Sequence, residues 1–370
     1  MVFLEHRKKG KGWIFMGQEG DMELKYVVLN VMLICLLLSL TGCGADKKAG
    51  RENRAGSGQE GEAVYQGEST DFMQAGKSED KPYTADTKIS DVISEPLFED
   101  YGRLIFPTDS GYFSGDTLGT LKLTWYSNID PEKTVEIANY MKEHAAKGEA
   151  IFYDIYTDEE KEDDPDKKDT GLFFFKGSPG EKFAVCNAGG GFAYVGAMQD
   201  SFPHALELSK KGYHAFALIY RPGAQTACED LARAVSFIFE HAKELEVGTE
   251  GYSLWGGSAG ARMAAWLGSY GPAAFGGDAL PKPGAVVMQY TGHSDYTEND
   301  PPTYACVGEN DGIADWRVME NRLEQLAAFG IPTEFHKYPG LGHGFGLGTG
   351  TAAEGWIEDA VSFWETQTKY

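Results

Sequence analysis

Gly256-Gly257-Ser258-Ala259-Gly260 sets a serine among small residues, after the apolar run Tyr252–Trp255 and at the head of a helical stretch, Ala259–Ser269. In a strand–turn–helix of this G-x-S-x-G form, the serine takes a strained backbone that lifts its Oγ above the sheet, and larger flanking side chains would clash. The helix start behind it leaves backbone N–H groups unpaired, Ala259 first, where they suit a developing oxyanion. Such a nucleophile needs a base and an acid to orient the base. Gly308-Glu309-Asn310-Asp311 ends the run Thr303–Val307, and Gly342-His343-Gly344 follows Thr333–Tyr338. His343 sits between glycines on a loop rather than on an apolar helix face, which disfavours a packed core histidine. Asp311 is the preferred acid because it follows the strand just before the histidine strand; Glu309, Asp315 and Asp295 are the other candidates. Ala188-Gly189-Gly190-Gly191-Phe192 follows the run Phe183–Cys186, and N–H groups of Gly190 and Gly191 can approach a substrate closely there. As a phosphate loop this stretch fails, with no G-K-[ST] and no G-x-G-x-x-G with an acidic partner. The chemistry these residues fit is acyl transfer through Ser258, with neither metal nor organic cofactor.

Groups spread this far apart in sequence must be gathered by a sheet. Apolar runs at Phe183–Cys186, Ala215–Tyr220, Tyr252–Trp255, Ala285–Tyr290, Thr303–Val307 and Thr333–Tyr338 read as strands. Helical stretches separate them: one through Leu206 and Leu208, then Cys228–Leu245, Ala259–Ser269, Val318–Phe329 stopped by Gly330, and Ala352–Thr366. That alternation predicts a doubly wound, mostly parallel sheet with helices on both faces and the site at the carboxyl ends of the strands. Ahead of it, Leu104–Phe106, Leu121–Trp125, Ile151–Ile155 and Leu172–Phe175 read as short strands. One helix interrupts them, capped by Asp130, opened by Pro131 and stopped by Gly148. The run Asp158–Asp169 lacks the glycine of a calcium loop and reads as a solvated charged turn.

With these motifs in order, the sequence resembles an α/β-hydrolase, and most closely the small carboxylesterases related to acetyl-xylan and feruloyl esterases. The likeness covers roughly residues 170–370: the glycine loop at Ala188–Phe192, the nucleophile turn at Gly256–Gly260, the acid loop at Gly308–Asp311 and the histidine loop at Gly342–Gly344. Tyr220-Arg221 also fits; Ala188 departs from the usual His or Pro. The resemblance implies a Ser258–His343–Asp311 triad, an oxyanion hole from Ala259 with Gly190 or Gly191, and an ester substrate. Phe192, Arg221 and His293 are candidate pocket residues. Residues 97–170 carry no motif of the family and are read as extra edge strands or a partial lid. A serine peptidase of related fold and a non-catalytic binding protein on the same scaffold are the alternative readings.

The chain of 370 residues carries a net charge of −23, which disfavours nucleic-acid binding because phosphate backbones need a basic face. Of its five cysteines, none are spaced C-x-x-C; Cys186, Cys228 and Cys306 lie in the part that folds, Cys186 and Cys306 in strand-like runs where free cysteine acts as a small buried hydrophobe. Tyr26–Leu40 is an uncharged run of fifteen residues, the length of a signal h-region rather than of a membrane span. Leu40-Thr41-Gly42-Cys43 follows and resembles a bacterial lipobox, so residues 1–43 are expected to be a lipoprotein signal peptide with Cys43 lipidated at the outer face of the cell membrane. Glu5, Glu19 and Asp21 are unusual in such a leader, and translation from Met22 would give a more ordinary one. Residues 44–96, rich in Gly, Ser and charge, are expected to form a flexible stalk, leaving 97–370 as the hydrolase domain.

Overall fold

The computed structural model describes residues 81–106, 111–123 and 129–369, which fall within one unit, Gly76–Tyr370. Its strands are β1 (Phe113–Ser114), β2 (Lys122–Leu123), β3 (Phe152–Tyr153), β4 (Gly171–Phe175), β5 (Lys182–Asn187), β6 (His214–Ile219), β7 (Gly248–Gly257), β8 (Ala285–Gln289), β9 (Thr303–Gly308) and β10 (Thr333–Tyr338). β1 and β2 pair as a small ribbon; the other eight form one sheet in the order β10-β9-β8-β7-β5-β6-β4-β3. From β6 through β10 every pairing is parallel, while β4 and β3 continue the sheet antiparallel. The strands β4 to β9 are buried almost throughout, as expected for a sheet covered on both faces.

Two layers of helices supply that cover. Pro131–Ala146, Ser201–Lys210 and Trp356–Gln367 share one face: Lys133 pairs with Glu207 at 2.8 Å, and the His204 ring meets Trp356 at 5.1 Å. Trp255 of β7 points into this layer, against Trp356 and Trp364. On the other face Ala224–Glu240 packs against Ala259–Tyr270, and Trp316–Ala328 reaches Met288 of β8 through Arg322. The chain runs from β5 to β6 on one side, then to β7 on the other. That reversal opens a crevice at the carboxyl ends of β5 and β7, where ligands bind in sheets of this kind.

Local sequence explains most of the boundaries. The Asp130 carboxylate accepts from the Glu132 and Lys133 N–H groups, and Gly148 ends that helix region with φ +75°. The helix expected over Cys228–Leu245 instead spans Ala224–Glu240, starting straight after Gly223 (φ +103°). The run 104–106 is corrected from strand to helix: Gly102–Ile105 is helical, burying Leu104 and Ile105 on a face too short for its period to register. The charged run Asp158–Asp169 also departs from a simple turn. Thr157 and Glu160 form a capping box that starts a helix over Asp158–Asp163, and Pro165–Asp169 adds a 3-10 turn, with no residue of either buried.

The expected stalk also needs correction at its end. Residues 81–96 belong to the fold: Ile89–Ile93 is helical, and Tyr83, Ile89 and Val92 are buried in the core. Their few apolar side chains are diluted by polar neighbours, so composition reads as linker while spacing builds a buried face. The rest of the stalk, the Tyr26–Leu40 run and Cys43 lie outside the described residues. Cys186 and Cys306 are buried free thiols, as expected, and so is Cys228.

Candidate active site

Ser258 closes β7 and caps the helix Ala259–Tyr270 with φ +52° and ψ −112°, a backbone that L-residues rarely adopt. The turn is this tight because β5 lies against it: a Cβ on Gly260 would sit 2.0 Å from the Asn187 carbonyl oxygen. Ser258 Oγ lies 3.0 Å from His343 Nε2, and His343 Nδ1 lies 2.8 Å from Asp311 Oδ2. His343 is brought in by the loop after β10 and Asp311 by the loop after β9. The Asp311 side chain is fully covered and that of His343 is 7% exposed. Oδ1 of Asp311 accepts from the N–H groups of Ile313 (2.8 Å) and Ala314 (2.7 Å), which aims Oδ2 at the imidazole. With Nδ1–H donating to that carboxylate, Nε2 is left to accept from the serine hydroxyl.

The other acids are engaged elsewhere. Asp295 accepts from the Tyr270 hydroxyl, Asp315 caps the helix Trp316–Ala328, and Glu309 is exposed beside Lys337. Of the four acids weighed from sequence, Asp311 alone meets His343.

The glycine loop lies against the nucleophile turn. A Cβ on Gly189 would stand 3.0 Å from Ser258 Cβ, and one on Gly190 (φ +137°) 1.9 Å from the Tyr194 carbonyl oxygen. The departure at Ala188 does not loosen the loop, since the Tyr220 hydroxyl donates to the Ala188 carbonyl at 2.8 Å. Gly196 N–H holds the Gly189 carbonyl and Gly223 N–H holds that of Phe192. Among the described residues, the N–H groups of Gly190, Gly191 and Ala259 are given to no acceptor, so they can serve an oxyanion near Ser258.

One residue under this loop was not singled out from sequence. Asp200 precedes the helix Ser201–Lys210 and reads as an ordinary N-cap, yet its side chain does not cap the helix. It turns inward, only 1% exposed, where Oδ2 accepts from Gly189 N–H at 2.7 Å and Oδ1 from the Tyr290 hydroxyl at 2.5 Å. Burial pushes its carboxyl above the ordinary range, against those two hydrogen bonds and the charge of His343, which favour the ionised form. The Tyr290 ring, itself at φ +33°, meets the His343 imidazole edge-on at 5.1 Å. No sequence signal marks Asp200 beyond its place between the glycine loop and a helix.

The three pocket candidates divide. Phe192 (φ +61°) follows the glycine loop and faces Trp266 at 6.3 Å. His293 follows β8 and packs edge-on against Trp266 at 5.3 Å; burial, then the charge of Arg322, pushes its pKa down to about 3. Arg221 is corrected: its guanidinium is turned to Asp230 (2.7 Å), Asp164 and Tyr156, a buried ion pair that ties the 156–164 segment to the end of β6.

The strand order, the antiparallel β4 and the placing of Ser258, Asp311 and His343 after β7, β9 and β10 decide the architecture. The chain has the α/β-hydrolase fold. The BD-FAE family model matches residues 178–280, a stretch that holds both the glycine loop and the nucleophile turn of this hydrolase fold. No curated protein matches the chain. Among solved structures it is similar to an esterase from the Planctomycetes species Thermogutta terrifontis (17% identity, 58% of this chain and 91% of that one, TM-score 0.49). It is also similar to an acetyl ester-xyloside bifunctional hydrolase from Caldicellulosiruptor lactoaceticus (19%, 53% and 88%, TM-score 0.47). A third is an alpha/beta hydrolase enzyme from a Medee basin deep-sea metagenome library (20%, 54% and 93%, TM-score 0.46).

Proposed function

We propose that the protein is a serine carboxylesterase that removes acetyl or other short acyl groups from esters on polysaccharide or oligosaccharide. The observation that carries the reading is the continuous chain Ser258 Oγ–His343–Asp311, at 3.0 and 2.8 Å, with the serine on a strained turn. Ser258 Oγ attacks the ester carbonyl while His343 Nε2 takes its proton. The carbonyl oxygen, now negative, receives N–H groups of Ala259 and of Gly190 or Gly191. Collapse of the tetrahedral intermediate breaks the bond to the alcohol, which leaves with the proton from His343. Water then enters by the same route, its proton going to His343 and its hydroxide to the acyl carbon, and the acid departs as Ser258 recovers its proton. Asp311 stabilises the imidazolium formed in each half. The BD-FAE match over 178–280 supports an ester substrate.

The polysaccharide setting rests on the N-terminal sequence. A lipid on Cys43 would tether the enzyme to the outer face of a bacterial membrane, where it meets extracellular material rather than nucleic acid. Cys43→Ser is expected to move the protein from the membrane to the soluble fraction with its specific activity unchanged.

An active-site serine phosphonate tests the chemistry. One label per chain is expected, on the peptide holding Ser258 and absent in Ser258→Ala, together with a loss of ester hydrolysis on the order of 10⁶-fold. Labelling elsewhere, or a Ser258→Ala protein that keeps more than a few per cent of activity, would overturn it. Cleavage of peptides but not of acetyl esters would favour the peptidase alternative.

A further inference from the structure

Arg262 lies one helical turn beyond the nucleophile, its N–H directed to the Ser258 carbonyl at 3.3 Å. Helical side chains lean toward the helix N-terminus, so its guanidinium is carried back toward the carboxyl edge of the sheet. Nη2 lies 3.7 Å from where a Cβ on Gly292 would stand, in the loop after β8, the strand beside β7. One turn further along the helix, the Trp266 ring stacks near Phe192 of the glycine loop at 6.3 Å and meets His293 edge-on at 5.3 Å. A guanidinium and an aromatic wall therefore stand on the helix that begins at the serine, beside the glycine loop and the loop after β8.

The charge at this point is uncompensated. Of the six arginines among the described residues, five hold carboxylates, from the exposed pair Arg317–Asp315 to the buried pair Arg322–Asp300. Arg262 alone has no carboxylate and no hydrogen-bond acceptor for its guanidinium among these residues. Acids are not scarce, at 56 against 33 basic residues. Arg262 is exposed as a residue, yet burial lowers its pKa, so its head has already shed part of its water. A partly dehydrated guanidinium with no acidic partner among the described residues suits a planar anion.

We propose that Arg262 binds a carboxylate of the substrate, so that the preferred esters carry an acid group a few bonds from the scissile ester. The flat guanidinium fork matches a carboxylate in two parallel hydrogen bonds, and the Trp266–Phe192 wall takes the connecting atoms. This rests on the esterase reading for turnover, but not for binding.

Two matched pairs of esters test it: 4-acetoxybenzoate against its methyl ester, and 4-nitrophenyl hydrogen adipate against 4-nitrophenyl hexanoate. The wild-type protein is expected to favour the anion in at least one pair. In Arg262→Gln the anion-to-neutral ratio of kcat/KM should fall on the order of 10- to 100-fold, mainly through KM, and Arg262→Lys should restore part of it. A preference for the neutral ester in both pairs, or a ratio untouched in Arg262→Gln, overturns the proposal. Calorimetric titration of Ser258→Ala with 4-acetoxybenzoate, with and without Arg262→Gln, reads the same contact without turnover. Weaker binding in the double variant supports the seat even if no ester is cleaved; equal binding overturns it even if esters are.

Discussion

The loops after β9 and β5 each bring one aspartate to the site, and the two are used in opposite ways. Asp311 has one oxygen satisfied by two N–H groups of its own loop and the other given to His343. Asp200 has both oxygens spent on holding other groups, the Gly189 N–H and the Tyr290 hydroxyl, whose ring meets the imidazole edge-on. In the proposed mechanism the first carboxylate stabilises a charge that appears during the reaction; the second braces the glycine loop and the Tyr290 hydroxyl. A buried acid near the proposed base is therefore not interchangeable with another. What each oxygen accepts decides the role, and substitutions at the two positions should separate them.

Asp311→Asn is the larger break. The amide offers His343 neither its preferred tautomer nor a partner for its cation, and kcat should drop about 10⁴-fold with the fold unchanged. The corresponding changes at Glu309, Asp295 and Asp315 should cost little. Steady-state rates on an activated acetyl ester, across all four, check the assignment; a mild Asp311→Asn beside a severe Asp295→Asn would reverse it.

Asp200→Asn should act by loosening. One carboxylate oxygen becomes an N–H donor, so either Gly189 or Tyr290 loses its acceptor. Stability should fall by about 1–3 kcal/mol and kcat on the order of 10-fold, with KM nearly unchanged. Urea unfolding beside kinetics tests this: a 10⁴-fold loss in kcat at full stability would make Asp200 a second catalytic acid and end the contrast.

A pH titration that leaves both aspartates in place sharpens the comparison from the side of burial. His204 and His293 both have pKa values pushed from 6.5 down to about 3 by burial. Above pH 6.5 they are neutral whether folded or unfolded. As pH falls below that, the unfolded chain takes up protons that the folded chain refuses, and stability declines by up to about 1.4 kcal/mol per pH unit for each. Urea midpoints should fall from pH 7 to pH 5, and less steeply in His204→Gln.

The Ser258–His343–Asp311 arrangement was legible in the sequence because each member sits at a strand end inside a glycine-marked loop, where turn chemistry leaves a trace. The parallel strands were legible for a similar reason, as apolar runs long enough to show. Asp200 left no trace, since an aspartate before a helix looks the same whether it caps the helix or turns inward. Arg221 misled because a basic residue at a strand end fits a pocket as well as an ion pair, and its partners Asp230 and Asp164 come from separate segments. The 81–96 segment was misjudged because packing there depends on three side chains, Tyr83, Ile89 and Val92, among polar neighbours.

The catalytic parts also differ in how firmly they are rooted. Ser258 follows β7, which has a strand on either side, whereas His343 hangs from β10, which among the described strands pairs with β9 alone and is only half-buried along its length. Opening of hydrogen bonds begins at such margins. Fraying of one outer strand would withdraw the proposed base from a serine that stays in place, so a warmed or mildly denatured sample is expected to pass through a folded but silent form. Working lifetime is then set by the margin of the sheet, and a gain in global melting temperature that leaves β10 untouched would not lengthen it.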